Sequence, residues 1–492
     1  MHELTGWSKD LTVEVAGRGV VAHTGSVALR VLADRMGLSA AMSSALARRD
    51  VVPVHDRGRV LADAAVMIAD GGRVMSDLAV LRDQGELFGP VASDPTLWRT
   101  LDAVDARTRD RLAAARARTR RHVWSQITAR HGAIPASKVA DRDLGRTIVV
   151  RLDATLVIAH SEKDLAAGTF KGTWGHHPLT AWCDNTGESL AVKLRTGSAG
   201  SNTVADHLEV LTAALTQIPG SFRRDLLITC DGAGATKDLL AHITTLNAAP
   251  GRRVGYSVGF DLDERCRTAI GRVPEALWEN VISHDGSPRD LDDAGVVELT
   301  GLLRESVGAH GRNDGRTIDQ LKTWPKDMRV IVRRERPHPG AQLSLFDTIE
   351  GFRHTAFITN QRGADVTRLE LRQRQRARAE NVIRDTKATG LSNLPFDDIV
   401  HNDVWMQLCF CANDLLAWAQ RIGCVGQLRH ATPKTIRHRL LHVAAAITPN
   451  GHRLHLDRHW PWTTALLDAI HRVRTAFRTL TVTTGHAAQA AL

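Results

Sequence analysis

Three carboxylates stand apart by their surroundings. Asp153 sits in or at the end of a strongly apolar strand, "TIVVRLDATLV", and Asp231 closes a second one, "LLITCD", with Gly232 next, where the chain must turn. A carboxylate at a strand end beside a turn presents its oxygens at the rim of the sheet, where open α/β sheets hold ligands. The third, Glu380, lies at the centre of a basic helical stretch, "RQRQRARAENVIRDTK", from Arg372 to Lys387. At roughly 100° per residue, Arg376, Glu380, Ile383 and Lys387 share one stripe, so two cations flank the carboxylate on its own face. Brought together, three carboxylates form an oxygen-only set suited to hard divalent ions such as Mg²⁺, which keep positions open for water and phosphate. Two such ions roughly 4 Å apart activate an attacking oxygen and stabilise the leaving one in phosphodiester cleavage. Each acid also has a plainer reading. A strand-end Asp is commonly a turn former or helix cap, and a helical Arg–Glu pair contributes only ~0.3–0.5 kcal/mol. The fold decides between the two.

The elements that must position these residues change character along the chain. Residues 26–130 carry helical periodicity, as in "RVLADAAVMIADGG" and "DARTRDRLAAARARTRRHVWSQI". Within them "SDPTLWRTLDAVD" has Ser93 at the N-cap position and Pro95 in the first turn. That short helix carries Arg99 and reads either as a helix-turn-helix recognition helix or as a capped packing helix. From about Gly145 the pattern turns to strands: "TIVVRLDATLVIAH", "PLTAWCDNTG" and "ESLAVKLRTG" form an expected antiparallel meander. A helix, a strand ending at Asp231, a helix and the strand "RVGYSVGF" follow. This is the element order of a ribonuclease-H-like fold, in which the first and fourth strands are neighbours and both aspartates meet at one edge. The last helix, with Glu380, comes only after a β-rich insertion containing "MRVIVRRERP", "QLSLFDTI" and "FRHTAFITN". The expected fold class is mixed α/β. Its divisions are a helical DNA-binding region at 1–140, core at 145–262, insertion at 263–355, core at 356–425 and a helical C-terminal region at 426–492.

Composition narrows the function classes. A chain of 492 residues, 43% hydrophobic, can bury several cores, and its net charge of +10 points to a polyanionic partner. Its six cysteines form no CxxC pair, which reads as buried, reduced thiols rather than a zinc site. The N-terminus does not read as a signal peptide and no apolar run spans a membrane, so the expected location is the cytoplasm, in association with the nucleoid. "DGAGATK" lacks the GK[ST] of a phosphate loop. His176 and His177 in "WGHHPL" read as loop-surface residues, and the sole tyrosine, Tyr256, has no arginine–histidine set around it to make it a nucleophile.

On these residues the sequence resembles bacterial insertion-sequence transposases of the DDE class, in the cut-and-paste branch with a β-rich insertion and a Tyr-x2-Arg-x3-Glu-x6-Lys signature. The signature falls on Gln373, Arg376, Glu380 and Lys387, with glutamine in place of tyrosine. Asp153 in "LDATLV" and Asp231 in "CDGAGATK" match the first two acids, and "HSEKDLAAGTFKGTWGHHPL", "GSAGSNTVADH" and "RRERPHPGAQLSLF" extend the similarity along the chain. The resemblance implies that Asp153, Asp231 and Glu380 are catalytic and bind two Mg²⁺ ions, with Mn²⁺ able to substitute. It also implies DNA contacts by Arg376, Arg384 and Lys387, joined by Arg99 if its helix reads DNA. The substrates would be double-stranded inverted-repeat ends and target DNA, held by a homodimer in a synaptic complex. Hydrolysis at the ends would free a 3′-OH that attacks the target, and the missing tyrosine bears on any hairpin intermediate. Two alternatives stay open: a nuclease or resolvase that cuts without joining, and a silent DNA-binding derivative. Separately, "QLSLF" (Gln342, Leu343, Leu345 and Phe346) resembles the pentapeptide that docks proteins onto the replication sliding clamp. Its other reading is an ordinary strand with Leu343 and Leu345 facing a core.

Overall fold

The structure, a computed structural model, describes residues 19–48, 53–140, 142–307, 317–337, 351–363, 365–448 and 453–477. The segment Gln342 to Phe346 lies outside them. The helical first region contains α1 (Ser26–Arg35), α2 (Leu38–Leu46), α3 (Arg57–Asp70), α4 (Asp94–Asp102) and α5 (Ala106–His131). Asp56 starts α3 by accepting the Arg59 N–H at 2.8 Å, and Asp105 starts α5 through the Thr108 N–H at 2.7 Å. Every residue of α3 from Val60 to Asp70 is buried. Helix α3 is therefore a central core element, covered by α2 and by the long C-terminal helix Ile399–Gly423.

A nine-stranded sheet forms the middle of the molecule. Its strands in chain order are β1 (Ile148–Ala154), β2 (Leu179–Cys183), β3 (Glu188–Lys193), β4 (Asp225–Cys230), β5 (Arg253–Phe260), β6 (Glu279–Asn280), β7 (Ala294–Glu298), β8 (Arg329–Glu335) and β9 (Arg353–Thr359). Across the sheet they run β6-β7-β8-β9-β5-β4-β1-β2-β3. The β1–β2–β3 meander is antiparallel, while β4 lies parallel to both β1 and β5. That 3-2-1-4-5 order, with α6 (Val204–Gln217) before β4 and α7 (Lys237–Asn247) after it, is the expected ribonuclease-H-like core. The insertion strands do not form a separate layer. β9 pairs antiparallel with β5, β8 with β9 and β7 with β8, so the insertion continues the core sheet and covers the β5 edge.

The basic stretch around Glu380 is not one uniform helix. It comprises α8 (Val366–Arg374), a 3₁₀ turn at Gln375–Ala377 and α9 (Arg378–Thr386), followed by a kinked turn at Lys387–Leu391 in which Gly390 takes a left-handed φ of 89°. The 3₁₀ turn changes the angular spacing ahead of α9, while Lys387 keeps helical angles and the chain kinks only beyond it, at Thr389 and Gly390.

The helix Ile399–Gly423, α10, lies against α3 and β3, and α11 (Thr463–Ala476) packs on it. The two ends of the described chain meet where Val20–Val21 pairs with Ala445–Ile447. Helix α5 is fastened to this assembly by buried charges. Arg120 binds Glu188 at 2.5 Å and Asp414 at 2.6 Å, and Arg116 binds Asp414 at 2.6 Å. All six cysteines are buried and free, as expected. Among the described residues no helix is long and apolar enough to cross a membrane.

Candidate active site

Asp153 is the penultimate residue of β1, and Asp231 follows the last residue of β4 directly. The parallel register pairs Leu226 with Ile148 and Thr229 with Arg151; carried two residues further it sets Asp231 level with Asp153 on adjacent strands. Asp231 caps the turn Gly232–Gly234 by accepting the Ala233 N–H at 3.1 Å, so its plain turn-forming role is real but leaves one oxygen for other work. Backbone contact tightens this turn: a Cβ added at Gly259 on β5 would stand 2.7 Å from the Gly232 nitrogen. A glycine inside a strand marks such close approaches, and that was the available signal in "VGYSVGF".

Glu380 is exposed in the first turn of α9, and its charge reaches Asp153. Burial, then the neighbouring Asp231 carboxylate, with Glu380 adding to it, push Asp153 up to about 6. Arg376 and the Ala154 N–H pull the other way. The Arg376 Nη1 lies 3.8 Å from the Asp153 carboxylate. Arg376, in the turn just before α9, thus reaches the strand edge where the Glu380 charge is also felt. The three acids are neighbours without closing into one tight group. Among the described residues the group whose ligand atoms all lie within 4.8 Å of one another is instead His23, Asp70 and His442.

A cleft of about 300 Å³ opens beside Asp231, lined by Gly232, Gly259, Gln373, Arg374 and Arg376 among others. Gln373, which stands at the tyrosine position of the signature, accepts a hydrogen bond from the Ser257 hydroxyl at 2.7 Å and ties α8 to β5. Several arginines of the basic stretch are committed elsewhere. Arg372 binds Gln361, Arg374 binds buried Glu370 at 2.6 Å, and Arg378 lies 3.5 Å from Asp184. Arg384 is exposed beside Asp385, and Lys387 is half-buried, with burial and nearby Lys171 lowering its pKa. Arg99 is exposed on α4 and bonds Thr96 of its own helix, while Trp98 beside it stacks on His401.

The sequence misplaces two histidines and gives no sign of a third. His176 and His177 are buried rather than loop-surface residues: the His176 ring hydrogen-bonds the Asp164 carbonyl at 2.9 Å and the His177 ring the Ala199 carbonyl at 3.4 Å. His177 and His207, the latter on α6, both feel the charge of Asp231, and burial lowers both pKa values. The doublet was visible in the sequence, but nothing local to it signalled proximity to Asp231.

A mixed α/β sheet with two aspartates level on adjacent parallel strands and a glutamate on the final core helix defines the ribonuclease-H-like class of fold. The family described as Transposase DDE domain group 1 matches residues 5–477, and the chain belongs to that family. A solved structure of piggyBac transposase in a synaptic complex with hairpin DNA aligns over 95% of this chain and 86% of that one, with 9% identity and a TM-score of 0.39. No curated protein matches the sequence.

Proposed function

We propose that the protein is a DNA transposase that binds the terminal inverted repeats of an insertion sequence, cleaves the ends with Mg²⁺ and joins the freed 3′-OH to target DNA. The observation that carries the reading is the level placement of Asp153 and Asp231, with Glu380 and Arg376 brought to the same edge. The donor set fits a hard divalent cation: carboxylates crowd one another there, and the Arg376 guanidinium stands 3.8 Å from Asp153. Asp153, Asp231 and Glu380 would hold two such ions (Mg²⁺, or Mn²⁺ in its place), which supply activation of the attacking oxygen and charge stabilisation of the leaving one.

The chain's own groups do the rest. Arg376 neutralises the edge and meets the scissile phosphate, with Lys387 and exposed Arg384 holding flanking phosphates. Arg99, beside exposed Trp98, gives the helical region a DNA contact. A homodimer would hold two ends together, and the protein would work at the nucleoid in the cytoplasm. Docking to the sliding clamp through Leu345 and Phe346 is a separate element, and the Leu345→Ala, Phe346→Ala double variant should lose clamp pull-down.

Labelled inverted-repeat DNA incubated with the protein and Mg²⁺ tests the main proposal. Joined products are expected. Cutting without joining would make the protein a nuclease of this fold, and binding alone would make it a silent derivative.

A further inference from the structure

Among the described residues, the tight gathering of metal-ligating atoms lies away from the three acids, in residues that the transposition chemistry does not use. Asp70 is the last residue of α3 and is buried. Its Oδ2 is 2.6 Å from His23 Nδ1 and its Oδ1 is 3.2 Å from His442 Nε2. The two imidazole rings lie 4.3 Å apart, centroid to centroid. His23 reaches this place from a left-handed backbone conformation, φ 55°, which side-chain-bearing residues seldom adopt. Strained positions of this kind persist where surrounding structure fixes them and concentrate at functional sites.

We propose that His23, Asp70 and His442 form a binding site for one imidazole-preferring divalent transition ion of the Zn²⁺ class. Two ring nitrogens and one carboxylate oxygen are the donor set of such ions and not of Mg²⁺, which takes oxygen ligands. A tetrahedral ion with bonds of about 2.0–2.1 Å has ligand–ligand edges of about 3.3 Å, which the 3.2 Å separation of His442 Nε2 and Asp70 Oδ1 already meets. The Ser26 hydroxyl donates to this same Asp70 Oδ1 at 2.5 Å and fixes the orientation of the carboxylate, as supporting hydrogen bonds do around metal ligands. Access is open, since the His442 side chain is 38% exposed and that of His23 28%.

The site joins three remote segments. His23 follows the strand Val20–Val21, His442 precedes its partner Ala445–Ile447, and the Thr24 hydroxyl bonds the Val443 carbonyl at 2.7 Å. An ion here would clamp both ends of the described chain onto α3. The cysteine pattern could not reveal it, because the ligands are two histidines and an aspartate, with His23 47 and His442 372 positions from Asp70.

The test uses the full chain carrying Asp153→Asn and Asp231→Asn, which blanks the other candidate metal site, freed of metal and titrated with Co²⁺. One tightly bound equivalent with the intense visible bands of low-coordinate Co²⁺ is expected, displaced by Zn²⁺. Adding His442→Gln or His23→Gln should weaken binding at least tenfold, with the circular dichroism of the chain unchanged. If either substitution unfolds the chain, X-ray absorption on the Zn²⁺-loaded parent decides, and a shell of two imidazoles plus oxygen is required. No stoichiometric binding, or binding that survives both histidine substitutions, overturns the site.

Discussion

Two carboxylate clusters in one molecule are treated in opposite ways. In the network between α5, β3 and α10, every oxygen has a partner. Trp124 Nε1 and Arg120 bond Glu188, and the Ser189 N–H, Arg116 and Arg120 bond Asp414. Both carboxylates are fully buried and neutralised by adjacent arginines. At the end of β1, Asp153 has the Ala154 N–H and a guanidinium 3.8 Å away, and faces two further acids. Paired acids build structure, whereas crowded acids store an unfavourable interaction that a cation or a proton relieves. The comparison separates a fastening from a site on physical grounds, although both consist of Asp, Glu and Arg.

Substitutions should split the two clusters. The largest effect belongs to the strand edge: Asp153→Asn, Asp231→Asn or Glu380→Gln should each lower cleavage of inverted-repeat DNA by roughly three orders of magnitude or more, a barrier change above about 4 kcal/mol. Binding of the ends, read by gel shift, should be nearly intact. Next is the buried network, where Asp414→Asn leaves Arg116 and Arg120 without their shared charge and should cost about 3–5 kcal/mol in urea unfolding. Any loss of cleavage there should follow loss of fold.

A smaller effect has the opposite sign. With its folded pKa raised to about 6, Asp153 binds more protons folded than unfolded between pH ~4 and ~6, so its ionisation reduces stability as pH rises through that window. Asp153→Asn should therefore stabilise the metal-free chain by on the order of 1–3 kcal/mol at pH 7.5 and by little at pH 4, read as melting temperature against pH. Equal destabilisation by Asp153→Asn and Asp414→Asn would erase the distinction between the clusters. Smallest is Ser257→Ala, which removes the bond to Gln373 and should cost about 1 kcal/mol.

Local signals carried the first half of this account. Apolar runs ending in an acid and a turn marked Asp153 and Asp231, and the order of strands and helices set them side by side. What the sequence hid depends on long-range contact. Helix α3 reads as one amphipathic helix among several, yet it is enclosed because helix α10, hundreds of residues later, closes over it. The 3₁₀ turn at Gln375–Ala377 has no glycine or proline to announce it. The partners of Arg372, Arg374 and Arg378 include Gln361 and Asp184, which no spacing within the basic stretch brings near, and Glu370. Burial of His177 likewise arises from neighbours distant in sequence.

The central claim is that Asp153, Asp231 and Glu380 together hold the divalent ions that cleavage needs. Anomalous scattering from Mn²⁺ in crystals of the protein bound to an inverted-repeat DNA end tests it most directly. The account predicts Mn²⁺ within bonding distance of all three carboxylates, with Arg376 moved onto the DNA backbone. Manganese bound elsewhere, or an edge without it in crystals that have Mn²⁺ and DNA bound, would contradict it.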